Sequence, residues 1–379
     1  MQVDIATEPT DDFFEPVTLG ALELRNRWVM APMTRAFSPN GVPGMNVRRY
    51  YERRARGGVG LIITEGTFVP HAAASNNGNV PNFHGAEALA GWKAVVDAVH
   101  AAGSLMVPQL WHVGLIQKRI VSNISLVVAE HPQVSPSGYL GASERVGEAM
   151  SIPDIEAVIS AFGEAATSAR ELGFDGIEIH GAHGYLIDQF FWATTNRRSD
   201  AFGGDLATRS RFATEVVREC RRRVGPEFPI IFRFSQWKQQ DYTARLANSP
   251  QELETVLAPL VKAGVDIFHC SQRRYWHPEF PDDSSMSLAG WTRRITGKPS
   301  IIVGSVGLDK DLSAAGFAPG AKAGWASLVP LQQMFQRGEF DLVALGRALI
   351  GNPEWCELIR SGQIHRIRGY SQDFLGELD

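Results

Sequence analysis

The sequence predicts an α/β fold, a (β/α)8 TIM barrel built as a single domain from residues 1–379, and three observations carry that prediction. Eight short apolar runs rich in β-branched residues recur along the chain. Segments with helical period separate most of them. The runs are apolar throughout and do not alternate, as expected of parallel strands covered by helices.

The first run is Trp28–Met33. The second and third, Gly60–Glu65 and Leu105–Trp111, flank a helical stripe of Leu89, Trp92, Val95, Val96 and Val99 that Gly103 closes. The rhythm then breaks. Residues 113–150 are longer than an ordinary connection and hold no clear helix, so they read as an excursion capping the barrel mouth after strand three, with a β-hairpin around Ser122–Ala129. Ser151 and Asp154 form a capping box for the next helix, whose apolar face is Ile155, Val158, Ile159, Phe162 and Ala166. The fourth run, Gly176–His180, leads to a helix with Phe212, Val216, Val217 and Cys220 on one side, ending before Gly225. After the fifth run, Ile230–Ser235, the triplet Ser249, Pro250 and Glu252 supplies an N-cap, a first helical residue and a capping partner. Ile267–Ser271, Ser300–Ser305 and Leu342–Gly346 complete the eight, the last two separated by an insertion-like small-residue stretch from Ser313 to Ser327. A doubly wound open sheet is the weaker alternative. Met30-Ala31-Pro32-Met33-Thr34-Arg35 stands where that fold would place a G-x-G-x-x-G turn.

Composition narrows the function. The chain is 44% apolar with a net charge of −4, both signs are dispersed, and no basic block suggests a nucleic acid partner. Met1 to Pro16 is acidic and lacks the basic and apolar regions of a secretory leader, and no apolar stretch is long enough to span a bilayer. Cys220, Cys270 and Cys356 lie far apart, which fits reduced thiols and cannot supply a four-cysteine iron–sulfur site. The expectation is a cytoplasmic enzyme acting on small molecules as a monomer or homodimer.

In a (β/α)8 barrel the chemistry lies at the C-terminal ends of the strands. The polar residues there are Thr34, Glu65, Gln109, Trp111, His180, His183, Tyr185 and Arg233, with the runs Gly304-Ser305-Val306-Gly307 and Gly346-Arg347. Glycines after strand seven and a helix opening with Arg347 after strand eight suit a phosphate, tight unliganded turns being the plainer alternative. A buried Arg233 needs an anionic or electron-rich partner, in a structural salt bridge or in a ligand. Together with a phosphate grip across the mouth, it favours a phosphorylated planar cofactor. The segment Gly176 to Tyr185 carries two imidazoles and a phenol within six residues at a strand end. Such a set can hold a carbonyl oxygen while charge builds on it and deliver a proton nearby. His180-x-x-His183 lacks a carboxylate or cysteine at ligand spacing, so no metal is expected. Trp111 is core filler or a pocket wall. Tyr275 and Trp276, beside Arg273 and Arg274 after strand six, either stack on substrate or nicotinamide or simply pack their loop. His112 reads as structural, and Asn196 to Asp200 as a loop ordering the rim.

These residues, taken in order, resemble the old yellow enzymes, FMN-dependent ene-reductases. The resemblance runs from Leu24-Arg25-Asn26-Arg27 to about Trp355. It rests on Ala31-Pro32-Met33-Thr34-Arg35, Gly58-Val59-Gly60-Leu61-Ile62 with Thr64-Glu65, Gln109-Leu110-Trp111-His112 and His180-Gly181-Ala182-His183-Gly184-Tyr185-Leu186. Asn196-Arg197-Arg198-Ser199-Asp200, Phe202-Gly203-Gly204 and Gly346-Arg347-Ala348 before Asn352-Pro353 complete it. The resemblance implies one non-covalent FMN reduced by NADPH or NADH. Pro32, Met33 and Thr34 would line the flavin, Gly66 would let its ring approach the chain, and Gln109 and Arg233 would contact the pyrimidine side. Gly304, Ser305, Gly307, Gly346 and Arg347 would hold the ribityl phosphate. His180 and His183 match the pair that binds the substrate oxygen, and Tyr185 the donor that protonates the α-carbon after hydride reaches the β-carbon of an activated alkene. Two departures stand out: Leu115 where many relatives carry Arg, and Thr34 rather than Cys. A hydroxy-acid oxidase on a flavin barrel and a flavin-binding protein without turnover are the competing readings.

Overall fold

The computed structural model describes residues 10–116, 120–121, 124–125, 133–143, 145–310 and 320–378. All eight apolar runs are strands: β1 Trp28–Met30, β2 Leu61–Phe68, β3 Leu105–Trp111, β4 Ile177–His180, β5 Ile230–Ser235, β6 Ile267–Ser271, β7 Ser300–Val303 and β8 Leu342–Leu345. Each pairs in parallel with its sequence neighbours, and β8 closes on β1 to complete the (β/α)8 TIM barrel. The outer helices that follow β1 to β7 are Met45–Arg56, Ala86–Ala101, Ile152–Leu172, Arg211–Val224, Pro250–Ala263, Leu288–Thr296 and Val329–Gln336; Ala348–Gly351 and Trp355–Arg360 follow β8. Among the described residues, no helix is long and apolar enough to cross a membrane.

Strand ends differ from the sequence reading where local chemistry interrupts the ladder. β1 stops before Pro32, which has no N–H to give. β7 stops at Val303 because Gly304 (φ 137°) and Ser305 (φ 57°) turn the chain. β2 runs on past Glu65 to Phe68, taking up a register shift between Ile63 and Gly66.

The lumen is filled in tiers, and this is what positions the site. Val29, Leu61, Ile63, Val107, Ile231, Ile267, Ile301, Leu342 and Ala344 form an apolar plug with Leu22 and Leu24. The last two come from a hairpin, Val17–Leu19 with Leu22–Leu24, that packs against the plug. Two residues further along their strands, on the same inward face, the plug gives way to polar groups: Gln109 after Val107, Arg233 after Ile231 and His269 after Ile267.

Helix starts follow the capping chemistry. Ser151 accepts the Asp154 N–H, and Asp154 accepts the Ser151 N–H at 2.8 Å. Ser249 likewise caps Glu252 N–H, but the Glu252 carboxylate reaches one residue further back, to Asn248 N–H at 2.7 Å. In the excursion after β3, Ile120–Val121 pairs antiparallel with Ile124–Ser125, and Val134–Ser135 pairs with Glu148–Ala149. The rest of the expected hairpin, 122–123 and 126–129, lies outside the described residues, as does much of the Ser313–Ser327 stretch. The part of that stretch that is described includes Lys322–Ala323, which pairs with Tyr370–Ser371. The Asn196–Asp200 loop does order the rim: Arg198 donates to the Pro136 and Met150 carbonyls at 2.6 and 2.5 Å.

Replacing Ser151 by Ala removes one capping acceptor and is expected to cost about 1 kcal/mol. Urea unfolding at neutral pH should show a lower midpoint with an unchanged slope; an unchanged midpoint would contradict the capping assignment.

Candidate active site

The turn after β4 gathers the three residues singled out by their spacing. His183 (φ 65°) and Gly184 (φ 80°) both adopt the left-handed region. That conformation costs an ordinary residue roughly 1–2 kcal/mol, so His183 must be held. Its N–H donates to Ser235 Oγ (2.9 Å), its carbonyl accepts from Gln239 N–H (3.2 Å), and its Nε2 lies 2.7 Å from Ser271 Oγ. The ring also stacks on Trp237 with centroids 4.5 Å apart. A Cβ on Gly184 would displace the Gln240 amide, 1.8 Å away, and would be strained at a φ of 80°, so glycine is favoured there.

The result is a compact cluster. The His180 ring stands perpendicular to those of His183 and Tyr185, at 5.2 and 5.0 Å. Trp111 stacks against His180 at 5.9 Å and meets Tyr185 edge-on at 4.8 Å. These four line one cavity of about 130 Å³ with Pro32, Thr34, Gln109, Arg233 and Gln239. Trp111 is therefore a pocket wall.

Burial, and after it the Arg233 charge, holds both imidazoles well below the usual histidine range, so both are neutral. His180 Nδ1 accepts the Ala182 N–H at 3.3 Å, which leaves its proton on Nε2. The packing around Tyr185 raises its phenol above the ordinary value, opposed by a hydrogen bond with the Gln239 side chain. Two neutral imidazoles beside a protonated phenol are thus the resting state.

Below them lies a polar tier in which Gln109 and Arg233, expected from the sequence, join Glu178 and His269, which sequence reading missed. Glu178, fully buried, accepts from Gln109 Nε2 (2.8 Å) and from His269 Nδ1 (2.6 Å). Arg233 sits within its field but keeps Nε buried with no hydrogen-bond partner. A buried donor left unmet is costly. The Arg233 side chain lines the cavity alongside Gln109, Thr34 and Pro32, a set matched to the oxygen and nitrogen edge of a planar heterocycle. Across the mouth, the turn of Gly304, Ser305 and Gly307 (φ 68°) meets Arg347, whose Nη2 is 3.5 Å from Ser305 Oγ. Met33 Sδ lies 3.8 Å from where a Cβ on Gly346 would be, so the loops after β1 and β8 also converge. The residues present fit a phosphorylated planar cofactor.

Other expectations land elsewhere. A Cβ on Gly66 would sit 2.4 Å from the Trp111 indole, so packing already accounts for that glycine. Glu65 faces away from the chemistry: its carboxylate accepts the N–H groups of Arg35 and Ala36 (2.9 and 3.0 Å), fastening the loop that carries Thr34, and burial lifts it to about 7. Tyr275 is buried, its N–H on the Gly304 carbonyl, while Trp276 is 39% exposed in a separate recess with Arg274, His277, Asp309 and Lys310. Neither lines the His180–Tyr185 cavity; Trp237, stacked on Tyr242 at 5.5 Å, occupies the side beyond His183. His112 is structural, bonded to His71 and to Gly114 N–H. Leu115, standing where an Arg was expected, is buried against Gly147 of the excursion and anchors it.

A barrel mouth with two neutral imidazoles, a proton-bearing phenol and residues that fit a phosphorylated planar cofactor is consistent with a cofactor-dependent oxidoreductase, which the relatives establish. The sequence profile of the NADH:flavin oxidoreductase / NADH oxidase family matches residues 12–316. The chain is 33% identical over 362 residues to the NADH oxidase of Thermoanaerobacter brockii, covering 94% of this chain but 52% of that protein, about half its length. It is 38% identical over 371 residues to 12-oxophytodienoate reductase 7 of Oryza sativa subsp. japonica, covering 92% and 87% of the two chains. Morphinone reductase in complex with tetrahydroNAD superposes with a TM-score of 0.73 at 28% identity, covering 92% of this chain and 90% of that one. The chain belongs to the NADH:flavin oxidoreductase / NADH oxidase family, the old yellow enzymes, whose members use FMN with NAD(P)H.

Selective ¹⁵N labelling of histidine tests the electrostatics. His180 should remain neutral with its proton on Nε2 at pH 6, because its pKa lies below that of free imidazole. An imidazolium signal for His180 at pH 6 would contradict the assignment.

Proposed function

We propose that this chain is an NAD(P)H-dependent ene-reductase acting on small activated alkenes, and the observation that carries the reading is the convergence of His180, His183 and Tyr185 on one cavity. FMN, when bound, would supply the hydride chemistry that links NADPH or NADH to the β-carbon of the alkene. Pro32, Met33, Thr34, Gln109 and Arg233 would hold its ring, with Gly66, whose backbone pairs with Gln109, beside them. Gly304, Ser305, Gly307, Gly346 and Arg347 would hold its phosphate.

The protein's own part is binding, charge stabilisation and proton delivery. His180 and His183 hold the oxygen of a carbonyl or nitro group, on which negative charge collects as hydride arrives. Being neutral, they donate hydrogen bonds without being drained of their protons, and each such donor is worth about 10²–10³ in rate. Tyr185 gives its proton to the α-carbon, a contribution of about 10²–10⁴. Trp111 fixes the orientation of both His180 and Tyr185 by packing on them. Cyclic enones, nitroalkenes, maleimides and quinones all present the required oxygen beside a polarised double bond. Cys220, Cys270 and Cys356, buried and unpaired, support a reducing, cytoplasmic setting.

Tyr185→Phe is expected to slow oxidation of the reduced flavin by 2-cyclohexenone about 10²-fold or more while leaving reduction by NADPH nearly intact. Equal losses in the two half-reactions, followed by stopped-flow absorbance, would contradict the assigned role. Because the Tyr185 phenol titrates above its ordinary value near 10, the wild-type enone rate should stay flat from neutral pH to about 9.5. A fall-off centred near pH 8 would point to another proton donor.

A further inference from the structure

One fully buried ion pair takes no part in the chemistry described so far. Lys238 Nζ lies 2.5 Å from Asp188 Oδ1, and both side chains are 0% exposed. Removing two charges from water is expensive, and such pairs can often be replaced by apolar residues with no loss of stability. Stability therefore does not explain its presence; its connections do.

Asp188 lies in the short helix Leu186–Phe191 that follows the site turn, and its second oxygen accepts the Gly184 N–H at 2.7 Å. Gly184 is the residue between His183 and Tyr185. Lys238 lies just beyond β5 and forms a parallel bridge with His183. Its neighbours are Trp237, stacked on the His183 ring, and Gln239, which donates its N–H to the His183 carbonyl and whose side chain bonds the Tyr185 phenol. One charge pair thus ties the loop after β5 to the turn after β4 at the point where the oxygen holder and the proton donor diverge.

We propose that Asp188 and Lys238 are positioning residues for the reaction, setting where the Tyr185 proton lies relative to the oxygen held at His183. The proposal rests on the roles given to those two residues under the proposed function. A displaced phenol would slow protonation and let solvent protonate the α-carbon from either face. Electron transfer out of the flavin to an acceptor that needs neither group would be untouched.

The test uses the FMN-loaded enzyme and the double variant Asp188→Asn/Lys238→Met, which removes both charges and strands neither. Dithionite-reduced enzyme is mixed either with saturating 2-methylcyclohex-2-enone or with ferricyanide, and the enantiomeric excess of the 2-methylcyclohexanone is read at early times. The expected result is a tenfold or greater loss of the enone rate with a lower enantiomeric excess, at unchanged flavin content and ferricyanide rate. Wild-type values for both enone readouts overturn the proposal, as do equal losses with enone and ferricyanide. If the double variant does not fold, Lys238→Met alone carries the same comparison, because Asp188 can then protonate and still accept from Gly184. Failure of both to fold assigns the pair to the fold and overturns it as well. A wild-type enzyme that enone cannot reoxidise would sink the ene-reductase reading and the pair's role with it, whereas wild-type turnover matched by the variants sinks the pair's role alone.

Discussion

Glu178 is a carboxylate held wholly out of water in the barrel lumen, and the upper half of the site depends on how its charge is answered. Gln109 and His269 satisfy its two oxygens from the neighbouring strand on one side and from two strands away on the other. Arg233, from the strand between Glu178 and His269, supplies countercharge without spending its Nε on a protein acceptor. That leaves a rigid, desolvated cation beside the cavity. It helps keep His180 and His183 neutral, and it offers a donor that protein groups have not met. The same residue thereby bears on both histidines and, in the proposed function, would meet a polar edge of the cofactor.

The second constraint is geometric. Putting two imidazoles and a phenol around one point within six residues requires a turn with His183 and Gly184 both left-handed. Glycine accepts this freely and histidine does not. The surrounding strands supply the compensation: Ser235 from the end of β5, Ser271 from the end of β6, and the Trp237–Gln240 segment that covers the turn. The turn is thus a joint product of three consecutive βα units. That is why a barrel, whose strand ends share one rim, can build it.

Much of the architecture was legible in the sequence because barrel strands are buried on both faces and announce themselves as apolar runs. β3, β5 and β6 match those runs residue for residue. The misjudged ends follow from Pro32, from the Gly304–Ser305 turn and from the bulge in β2, where a polar Glu65 and a glycine interrupted the apolar pattern. His180, His183 and Tyr185 were legible because their proximity is local in sequence. Glu178 was readable in principle as a lone charge inside an apolar strand, but its meaning depends on His269, 91 residues away. Ser271, Trp237 and the Asp188–Lys238 pair were silent for the same reason. Tyr275 and Trp276 were drawn toward the cavity on the strength of their loop alone, and the turn at Gly304 directs them elsewhere.

The most direct test of the central claim is an anaerobic visible titration of the purified protein, first with NADPH and then with 2-cyclohexenone. A flavin spectrum that bleaches with NADPH and returns with the enone is the predicted result. A flavin that bleaches with NADPH and stays reduced in the presence of enone would contradict alkene reduction at this site. A protein that remains colourless after FMN is added would contradict the cofactor cradle itself.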